Sequence, residues 1–431
     1  MDAKKEVVKV ALLGMGTVGR GVYRTLSDNA EVVQRRVGAK LEIKKILVRD
    51  VNKNRGVNVP SAVLTDDIND VLNDPEIDVL VELIGGINPA LEYVLAALHR
   101  GKSVVTANKD MVAMHGKELF AAACEGNCHL LFEASVAGGI PIIRTLKQSL
   151  ASNRIEAVFG IINGTTNYML TKMTKDGSDF DAVLKEAQAK GYAEADPTAD
   201  VAGYDAARKI AILASIAFNT RVTLNNVYVE GITKVTAEDI AYAKELGYVI
   251  KLLGIAKDTA EGIEVRVHPT FIPQEHPLAS VNDVFNAVFV RGDAVGDTMF
   301  YGQGAGELPT ASAVVADIME AGRDLVNNTS SIIDCTCYDN KPIKAMGETQ
   351  SRYYIRTKVA DKPGVLASIA LVFGNKNVSL ASVIQKDAEG CTAELVLITH
   401  HTKEENVQDA LADIQHLSCV KEIANVIRVE G

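Results

Sequence analysis

The residues whose spacing most clearly suggests chemistry are Asp205 and Lys209. They fall in a helix that we predict from Val201 to Phe218, and their i,i+4 spacing places both side chains on one face of it. A carboxylate and an ammonium held one turn apart can orient a polar substrate and move a proton. The same spacing is common in ordinary surface pairs, which contribute only about 0.2–0.5 kcal/mol. The pair therefore needs support from the rest of the chain.

The segment before this helix begins at Gly191 and contains more acidic groups than a turn requires. We predict that it is a loop, and Glu194 within it is a third candidate for the same site. An apolar strand predicted from Ile155 to Ile162 precedes a polar cluster, Asn163 to Asn167, that either caps the next helix or lines a pocket.

A glycine-rich turn near the N-terminus predicts a dinucleotide site. A short β-branched strand, Val7 to Leu13, precedes the turn, and a helix from Arg20 to Leu26 follows it. The turn reads Gly14-Met15-Gly16-Thr17-Val18-Gly19. In this motif the first glycine permits the tight turn, the second lets the backbone approach a pyrophosphate, and the third lets helix and strand pack closely. The unpaired N–H groups of the helix N-terminus then face the phosphates.

The end of the second predicted strand, Leu41 to Val48, bears on the choice of cofactor. Arg49 suits the 2′-phosphate of NADP, whereas an acidic residue at this point, here Asp50, would bind the ribose hydroxyl of NAD. The sequence leaves both cofactors open.

Strands and helices alternate through the first part of the chain, which predicts a Rossmann-like, doubly wound parallel sheet. Lys109 follows the strand Ser103 to Thr106 and so lies at the sheet edge where such folds bind ligands. Further on, strands follow one another directly, which indicates an α+β domain with a mixed sheet. A second glycine-rich turn, Gly302 to Gly306, opens a helix that we expect to return to the first domain.

The last part of the chain is predicted to fold in the order βαββαβ, a ferredoxin-like unit. We expect a dinucleotide-binding domain (1–136, completed by the helix 306–330), a substrate-binding and dimerisation domain (137–305), a linker (331–351) and the ferredoxin-like domain (352–431).

Composition excludes several functional classes. The chain has 431 residues and a formal net charge of -10, which argues against a nucleic-acid partner. No run of about 18 apolar residues suggests a membrane span. The six cysteines lack metal-ligand spacing with histidines, and the charged N-terminal segment, residues 1–6, lacks an apolar signal region. We expect free thiols and a cytoplasmic protein.

Taken together, and in this order along the whole chain, the motifs resemble those of the homoserine dehydrogenases. The segments that carry the resemblance are Gly14–Gly19, Thr106–Lys109, Asn163–Asn167, Gly191–Pro197, Asp205–Lys209 and Gly304–Gly306. The resemblance implies NADP- or NAD-dependent interconversion of L-homoserine and L-aspartate 4-semialdehyde, in the biosynthesis of threonine, isoleucine and methionine.

The resemblance also implies roles for individual residues. Lys209 matches the proton donor to the aldehyde oxygen, and Asp205 and Glu194 match residues that hold the substrate. We expect Asp205 to bind the substrate's ammonium group and not to pair with Lys209. Lys109 matches a lysine near both cofactor and substrate, and Gly191 and Gly306 match backbone contacts at the cofactor cleft.

A monovalent-cation site is implied in the same way. The segment Glu133 to Ile140 looks like the family's cation loop, in which backbone carbonyls would coordinate sodium. The carbonyls are those of Glu133, Val136, Gly138 and Ile140.

The ferredoxin-like tail, with Asp361 to Leu366 before its first helix, resembles an ACT domain. Such domains usually pair and bind an amino acid, so the resemblance implies L-threonine as a feedback inhibitor, near Asn377 to Ser379, and a homodimer or homotetramer. A purely structural dimerisation module is the alternative for the tail. For the whole chain, a different oxidoreductase of the same architecture and a non-catalytic amino-acid sensor are the competing hypotheses.

Overall fold

The structure is a computed structural model that describes residues 5–389 and 391–430. Residues 1–4, on which part of the expectation about a targeting signal rests, lie outside the described residues. The chain forms two compact units: Met1–Ile155, Ala211–Leu224 and Asn286–Asn340 make the first, and Glu156–Ile210, Asn225–Phe285 and Lys341–Gly431 make the second. The three predicted domains divide the chain more finely, and their boundaries stay a prediction. In the described part of the chain, every helix is too short or too polar to span a lipid bilayer.

The first unit opens with a parallel six-stranded sheet, as predicted. Its elements are β1 Val7–Leu13, α1 Thr17–Asp28, α2 Ala30–Val37, β2 Lys40–Leu47, β3 Leu64–Thr65, α3 Asn69–Leu72, β4 Val79–Glu82, α4 Ala90–Leu98, β5 Ser103–Thr106, α5 Lys109–Glu125 and β6 Leu130–Leu131. The strand order is β3-β2-β1-β4-β5-β6, the order of dinucleotide-binding sheets. The central strands β4 and β5 are buried along their whole length, because helices cover both faces of such a sheet.

The middle of the chain supplies helices and a mixed sheet. In chain order these are β7 Ile155–Ile161, α6 Gly164–Asp176, α7 Phe180–Ala189, α8 Thr198–Val201, α9 Tyr204–Ala217, β8 Tyr228–Val229, α10 Ala237–Glu245, β9 Tyr248–Thr259, β10 Gly262–Pro273, β11 Phe285–Gly292 and β12 Gly296–Gln303. In the second unit β9 pairs antiparallel with both β7 and β10, whereas β8 pairs parallel with β10. The predicted mixed sheet is confirmed.

The long helix α11, Glu307–Asn327, belongs to the first unit. Its buried residues Ala311, Val314 and Ile318 lie in the same core as Val8 and Val10 of β1. The helix packs closely on α1, where a side chain at Gly21 would come within 3.0 Å of the Glu307 side chain. The chain therefore returns to the first sheet after β12.

The tail is the predicted ferredoxin-like unit. Its elements are β13 Gln350–Ala360, α12 Val365–Asn375, β14 Leu380–Glu389, β15 Thr392–Thr399, β16 Thr402–Lys403, α13 Glu404–Ile414 and β17 Val420–Val429. The strand order is β17-β13-β15-β14, with antiparallel neighbours. β17 also pairs parallel with β10, Thr270 opposite Arg428 and Phe271 opposite Val429, so the tail and the middle sheet are continuous within the second unit. The sequence did not predict this pairing.

A buried ion pair reinforces the tail. Arg428 of β17 donates two hydrogen bonds to Glu404, from Nε at 2.8 Å and from Nη2 at 2.6 Å, and Tyr353 donates a third at 2.8 Å. Arg428 also pairs with Glu230, at 2.7 Å, outside the tail. Burial alone would raise the pKa of Glu404, but the hydrogen bonds and charge of Arg428 outweigh it and hold that pKa below the ordinary 4.5. The ion pair thus links the first helix residue of α13 to the strand that joins the two sheets.

We expect Glu404→Gln to lower the free energy of unfolding by about 3 kcal/mol at pH 7, because it leaves a buried guanidinium with part of its charge uncompensated. Since the folded-state pKa is depressed, this stabilisation is complete above the unfolded pKa and is lost as pH falls through the folded pKa. Urea unfolding from pH 7 to pH 3 measures it, and the difference from wild type should shrink below about pH 4.5.

Glu405→Gln is the matched control. Glu405 pairs with Lys403 at 3.2 Å, and both side chains are about half exposed, so its removal should change stability by less than about 1 kcal/mol. Equal effects of the two variants would contradict the assignment of stability to the buried pair.

Candidate active site

The helix that carries Asp205 and Lys209 starts later than predicted. The sequence predicted one helix from Val201, but α8 ends at Val201 and α9 begins at Tyr204. Gly203, between them, has φ +89°, a conformation that favours glycine. A side chain there would lie 3.2 Å from Val229 and from Val267, so the tight break lets the chain pack against two strands. Neither strand is close in sequence, which is why the helix start was predicted wrongly.

Asp205 and Lys209 do share one face of α9. The Lys209 ammonium donates to Asp205 Oδ2 at 2.7 Å and to the carbonyl oxygen of Ile162, at the end of β7, at 2.8 Å. The two side chains are only 13% and 11% exposed. The expectation that Asp205 would not pair with Lys209 is therefore wrong. Two fixed acceptors hold the ammonium in one position.

Asn163 joins this pair to a second carboxylate. Its Oδ1 caps α6 by accepting from Thr166 N at 2.8 Å. Its Nδ2 donates to Asp205 Oδ2 at 2.9 Å and to Asp200 Oδ1 at 2.7 Å. The sequence analysis gave the Asn163 to Asn167 cluster as a helix cap or a pocket lining, and the structure shows Asn163 as the cap of α6. Asp200 was missed, although an N-cap asparagine has a spare amide group that can bond another acidic residue.

The surroundings of Asp200 favour a bound cation. Burial and the neighbouring charge of Asp205 raise the pKa of Asp200, while the hydrogen bond from Asn163 opposes that rise. Two carboxylates that converge on one amide concentrate negative charge in a half-buried position. A ligand ammonium group beside them would favour the ionised form of both.

The predicted loop between α7 and α8 is present. Gly191 has φ +73°, which suits glycine, and its N–H donates to the Gln188 carbonyl. Thr165 of α6 donates to the carbonyl of Tyr192 at 2.7 Å, and Gln188 donates to the backbone oxygen of Glu194 at 3.0 Å. Backbone contacts thus fix the loop and leave Glu194 exposed. Substrate and cofactor contacts by Glu194 and Gly191 stay predictions.

The glycines of the first turn have the geometry that a dinucleotide site needs. Gly14 has φ +106°, and a Cβ there would lie 2.9 Å from the Leu83 carbonyl oxygen. A Cβ on Gly19 would collide with the carbonyl of Gly14, so helix and strand are in direct contact. A Cβ on Gly16 would meet no atom within 4 Å. Gly16 therefore borders open space, where a phosphate can approach the backbone.

A cavity of about 880 Å³ adjoins this turn, lined by Gly14, Met15 and Gly16 and by Arg49. Lys53 and Arg55 line it as well. Thr17 and Val18 begin α1, whose N-terminal N–H groups follow directly. The size suits a cofactor. Asp50 lines the same cavity, and its Oδ1 accepts from the N–H of Asn52 at 2.9 Å, within its own turn.

Lys109 is the first residue of α5, and its neighbour Asn108 fixes this end of the helix. Asn108 Oδ1 accepts from Met111 N at 3.1 Å, and its Nδ2 donates to the carbonyl of Gly86 at 2.6 Å. The fully buried Glu82 accepts from Thr106 at 2.6 Å and from the N–H of Ile84 at 2.7 Å. The sequence analysis missed Glu82, although a carboxylate that ends an apolar strand was a signal. Both contacts order the carboxyl edge of the sheet near Lys109.

The proposed cation loop and Gly306 also lie in the first unit. Ala137 and Gly138 have φ +56° and +44°, so the chain turns sharply between Glu133 and Ile140. Val136 and Gly138 are buried, and in the described chain no N–H donates to either carbonyl. The carbonyl of Ile140, in contrast, accepts from Ile142 N at 2.9 Å. Gly306, with φ +127°, is the N-cap of α11.

The structure thus brings together two groups of predicted residues. Asp205 and Lys209 form one polar cluster with Asn163 and Asp200 in the second unit, with Gly191 and Glu194 on the loop that Thr165 holds. Of the predicted cofactor residues, Gly14, Met15, Gly16 and Arg49 line one cavity in the first unit. The same unit contains Thr17 to Gly19, Lys109, the cation loop and Gly306. Paired carboxylates of this kind suit a ligand ammonium group, and a cavity beside a glycine-rich turn suits a dinucleotide.

Comparisons with known proteins agree with this combination. Residues 141–319 match the family model described as homoserine dehydrogenase, residues 14–133 the NAD-binding domain of homoserine dehydrogenase, and residues 353–418 the ACT domain. The homoserine dehydrogenase of Bacillus subtilis is 46% identical over 429 residues, 99% of each chain. A homoserine dehydrogenase structure from Thiobacillus denitrificans is 45% identical, with a TM-score of 0.94, and covers 99% of this chain and 98% of that chain. A hyperthermophilic archaeal homoserine dehydrogenase in complex with NADPH is 26% identical, with a TM-score of 0.63, and covers 73% of this chain and 97% of its own.

The geometry of the glycine turn predicts different consequences for two similar variants. Gly16→Ala should leave the melting temperature unchanged, because the new methyl group meets no protein atom, but should weaken cofactor binding about 10-fold by blocking the phosphate. Gly19→Ala should lower the free energy of unfolding by about 1–3 kcal/mol through overpacking. Thermal melting and calorimetric cofactor titration separate the two effects. A destabilised Gly16→Ala that binds cofactor normally would contradict this assignment.

Proposed function

The chain belongs to the homoserine dehydrogenase family and is an NAD(P)-dependent oxidoreductase, and from this premise we propose which of its residues act on the substrate. We propose that it interconverts L-homoserine and L-aspartate 4-semialdehyde, with Lys209 as the proton donor to the aldehyde oxygen. The observation that carries the proposal is the buried Lys209 ammonium, held between Asp205 and the Ile162 carbonyl. In this role the enzyme acts in the biosynthesis of threonine, isoleucine and methionine.

Gly14 to Gly16 and Arg49 would hold the nicotinamide cofactor, which would supply or take up the hydride at the carbon that bears this oxygen. Lys209 stabilises the negative charge that develops on the oxygen and gives it a proton from Nζ, which combines electrostatic and general-acid catalysis. In the direction of homoserine oxidation, Lys209 accepts the proton of the hydroxyl group. Because Asp205 and Ile162 already hold Nζ, little reorganisation is needed when the substrate binds.

Substrate recognition in this proposal rests on the carboxylates. Asp205 and Asp200 bind the α-ammonium group of the substrate, with Asn163 holding both carboxylates in place. Glu194, on the exposed loop, completes the contact when the substrate is bound. Lys109, at the N-terminus of α5, contacts the cofactor and the substrate. Gly191 and Gly306 contribute backbone contacts to the cofactor.

The activity can be tested by following reduced nicotinamide absorbance with L-homoserine and each cofactor. Lys209→Met should lower kcat on the order of 10²–10⁴-fold, the usual contribution of a general acid or base. Lys175→Met is the control, since Lys175 is 56% exposed, and it should retain wild-type rates. Calorimetric cofactor titration checks that the Lys209 variant still binds cofactor. An inactive wild type, or a Lys209 variant with full activity, would point to another substrate or to a non-catalytic sensor.

We further propose that NADP is preferred to NAD. Three cations, Arg49, Lys53 and Arg55, line the cofactor cavity after β2 and together suit a 2′-phosphate. Asp50, the residue that would favour NAD, lines the same cavity, and its Oδ1 is bonded to the N–H of Asn52. The NADPH complex of the archaeal relative supports the same preference by similarity.

Substitution of Arg49 tests this preference. Arg49→Gln should raise KM for NADP by about 10- to 100-fold, as expected for the loss of a charge-assisted hydrogen bond, and should change KM for NAD by less than about twofold. Arg36→Gln, on the exposed face of α2, serves as the charge-matched control. A similar rise in KM for both cofactors would indicate that Arg49 stabilises the fold and does not bind the 2′-phosphate.

A monovalent cation, with sodium as the first candidate, fits the loop from Glu133 to Ile140. Two buried carbonyls, those of Val136 and Gly138, have no hydrogen-bond donor among the described residues and could serve as ligands with those of Glu133 and Ile140. The loop contacts the end of β12, because Gly139 N donates to the Gln303 carbonyl at 3.0 Å. A bound cation would therefore stabilise both the loop and this contact. A melting temperature that is the same in sodium and in tetramethylammonium chloride at equal ionic strength would contradict occupancy.

The ACT domain supports regulation by an amino acid, and we propose L-threonine, bound near Asn377 to Ser379, in a homodimer or homotetramer. Asn377 has φ +58°, so the turn that leads into β14 is tightly formed. Inhibition of the activity by L-threonine but not by D-threonine tests the effector. Light scattering measures the mass of the assembly and tests the homodimer or homotetramer. We also propose a cytoplasmic location, since the six cysteines are free thiols.

A further inference from the structure

A small cavity in the first unit is lined by cysteine and basic side chains that the proposed reaction does not use. Its lining includes Phe120 of α5, Ser215 of α9, Lys147, Arg221 and the segment Cys335 to Cys337. The volume is about 20 Å³, enough for one molecule of roughly the size of water. The cavity is therefore too small for a metabolite.

The two cysteines of this cavity are separated by one residue, and both line it. Arg221 Nη2 donates to Cys335 Sγ at 3.2 Å, and Cys337 Sγ lies 3.7 Å from the carbonyl oxygen of Ser215. Cys335 is exposed, whereas Cys337 is partly buried. One thiol is thus accessible and contacts a cation, and the other lines the same cavity two residues further along the chain.

Two residues of α5, Phe120 and Gly116, set the position of the Arg221 side chain. Its guanidinium lies over the Phe120 ring, 6.0 Å from the ring centroid. A Cβ on Gly116 would lie 2.7 Å from Arg221 Nη1. Glycine inside a helix costs about 1 kcal/mol relative to alanine, and here it provides the space that the guanidinium occupies beside Cys335.

Lys147 fixes the segment that leads into the dithiol. Its Nζ donates to the carbonyls of Ile333 at 3.0 Å and Asp334 at 2.8 Å. The hydrogen bond from Cys337 lowers the pKa of the Cys335 thiol, and the charges of Arg221 and Lys147 lower it further, against the opposing effect of burial. The same hydrogen bond raises the pKa of Cys337. Such surroundings are typical of reactive cysteines.

From this geometry we propose that Cys335 and Cys337 form an oxidisable dithiol, in which Cys335 reacts with a hydroperoxide and Cys337 resolves the product as an intramolecular disulfide. The Cys335 thiolate attacks one oxygen of hydrogen peroxide, the O–O bond breaks, and hydroxide leaves and takes a proton to form water. The product is a sulfenic acid on Cys335.

Cys337 then attacks the Cys335 sulfur as its own proton passes to the leaving oxygen. The S–O bond breaks, the S–S bond forms, and a second water is released. The dithiol loses two electrons and two protons, and hydrogen peroxide is reduced to two water molecules. A dithiol reductant reverses the modification by exchange. The exposed Cys124 lacks the paired thiol and is the internal control.

Mass spectrometry of the full-length chain tests the proposal. The reduced protein is treated with hydrogen peroxide at pH 7, blocked with iodoacetamide and digested with trypsin. The peptide from Asp324 to Lys344 should lose two hydrogen atoms, at a rate at least about 10-fold above oxidation at Cys124. Cys337→Ser should instead accumulate a sulfenic acid on Cys335 that dimedone traps, and Cys335→Ser should give neither product.

Two further variants test the contribution of the cation. Arg221→Gln removes the guanidinium, and Gly116→Ala displaces it while keeping its charge, so both should slow oxidation of Cys335 by about 3- to 10-fold. Melting temperatures identify any variant that has lost its fold, and Arg154→Gln controls for loss of a surface charge. Oxidation of Cys335 no faster than that of Cys124 would overturn the proposal, as would a wild-type chain that stops at sulfenic or sulfinic acid.

Discussion

The proposed active site depends on one amide group, that of Asn163. It caps α6 with its oxygen and holds two carboxylates, Asp200 and Asp205, with its nitrogen. Asp205 in turn accepts a hydrogen bond from the Lys209 ammonium. The same ammonium donates to the carbonyl of Ile162, the residue before Asn163. The network therefore connects the two residues between β7 and α6 with the first two turns of α9. Because these hydrogen bonds fix the ammonium, it is positioned before any substrate arrives.

Local spacing was enough to predict the parts of the site that lie within one element. The i,i+4 pair Asp205–Lys209 and the turn Gly14 to Gly19 follow from helix geometry and from glycine's conformational freedom. The start of α9 did not follow, because Gly203 breaks the helix to pack on Val229 and Val267, which are remote in sequence. Asp200 was missed for a similar reason, since its partner Asn163 is distant in the chain. The sequence showed the acidic loop but not which carboxylate faced inwards.

In the tail, too, the sequence predicted local elements but not contacts between distant segments. The periodicity of each strand and helix predicted the βαββαβ order, but nothing local indicated that β17 would pair with β10. That pairing is supported by Arg428, whose buried guanidinium binds Glu404 within the tail and Glu230 beyond it. The sheet is therefore continuous from the tail to β10 within the second unit.

The central claim is that Lys209 transfers a proton and does not act by charge alone. Lys209→Arg tests this most directly, because a guanidinium keeps the positive charge but cannot release a proton near neutral pH. We predict that kcat for L-homoserine oxidation in Lys209→Arg falls as far as in Lys209→Met, on the order of 10²–10⁴-fold, while cofactor binding by calorimetry is unchanged. If Lys209→Arg retained activity within about tenfold of wild type, Lys209 would serve only as an electrostatic anchor and the proton donor would lie elsewhere.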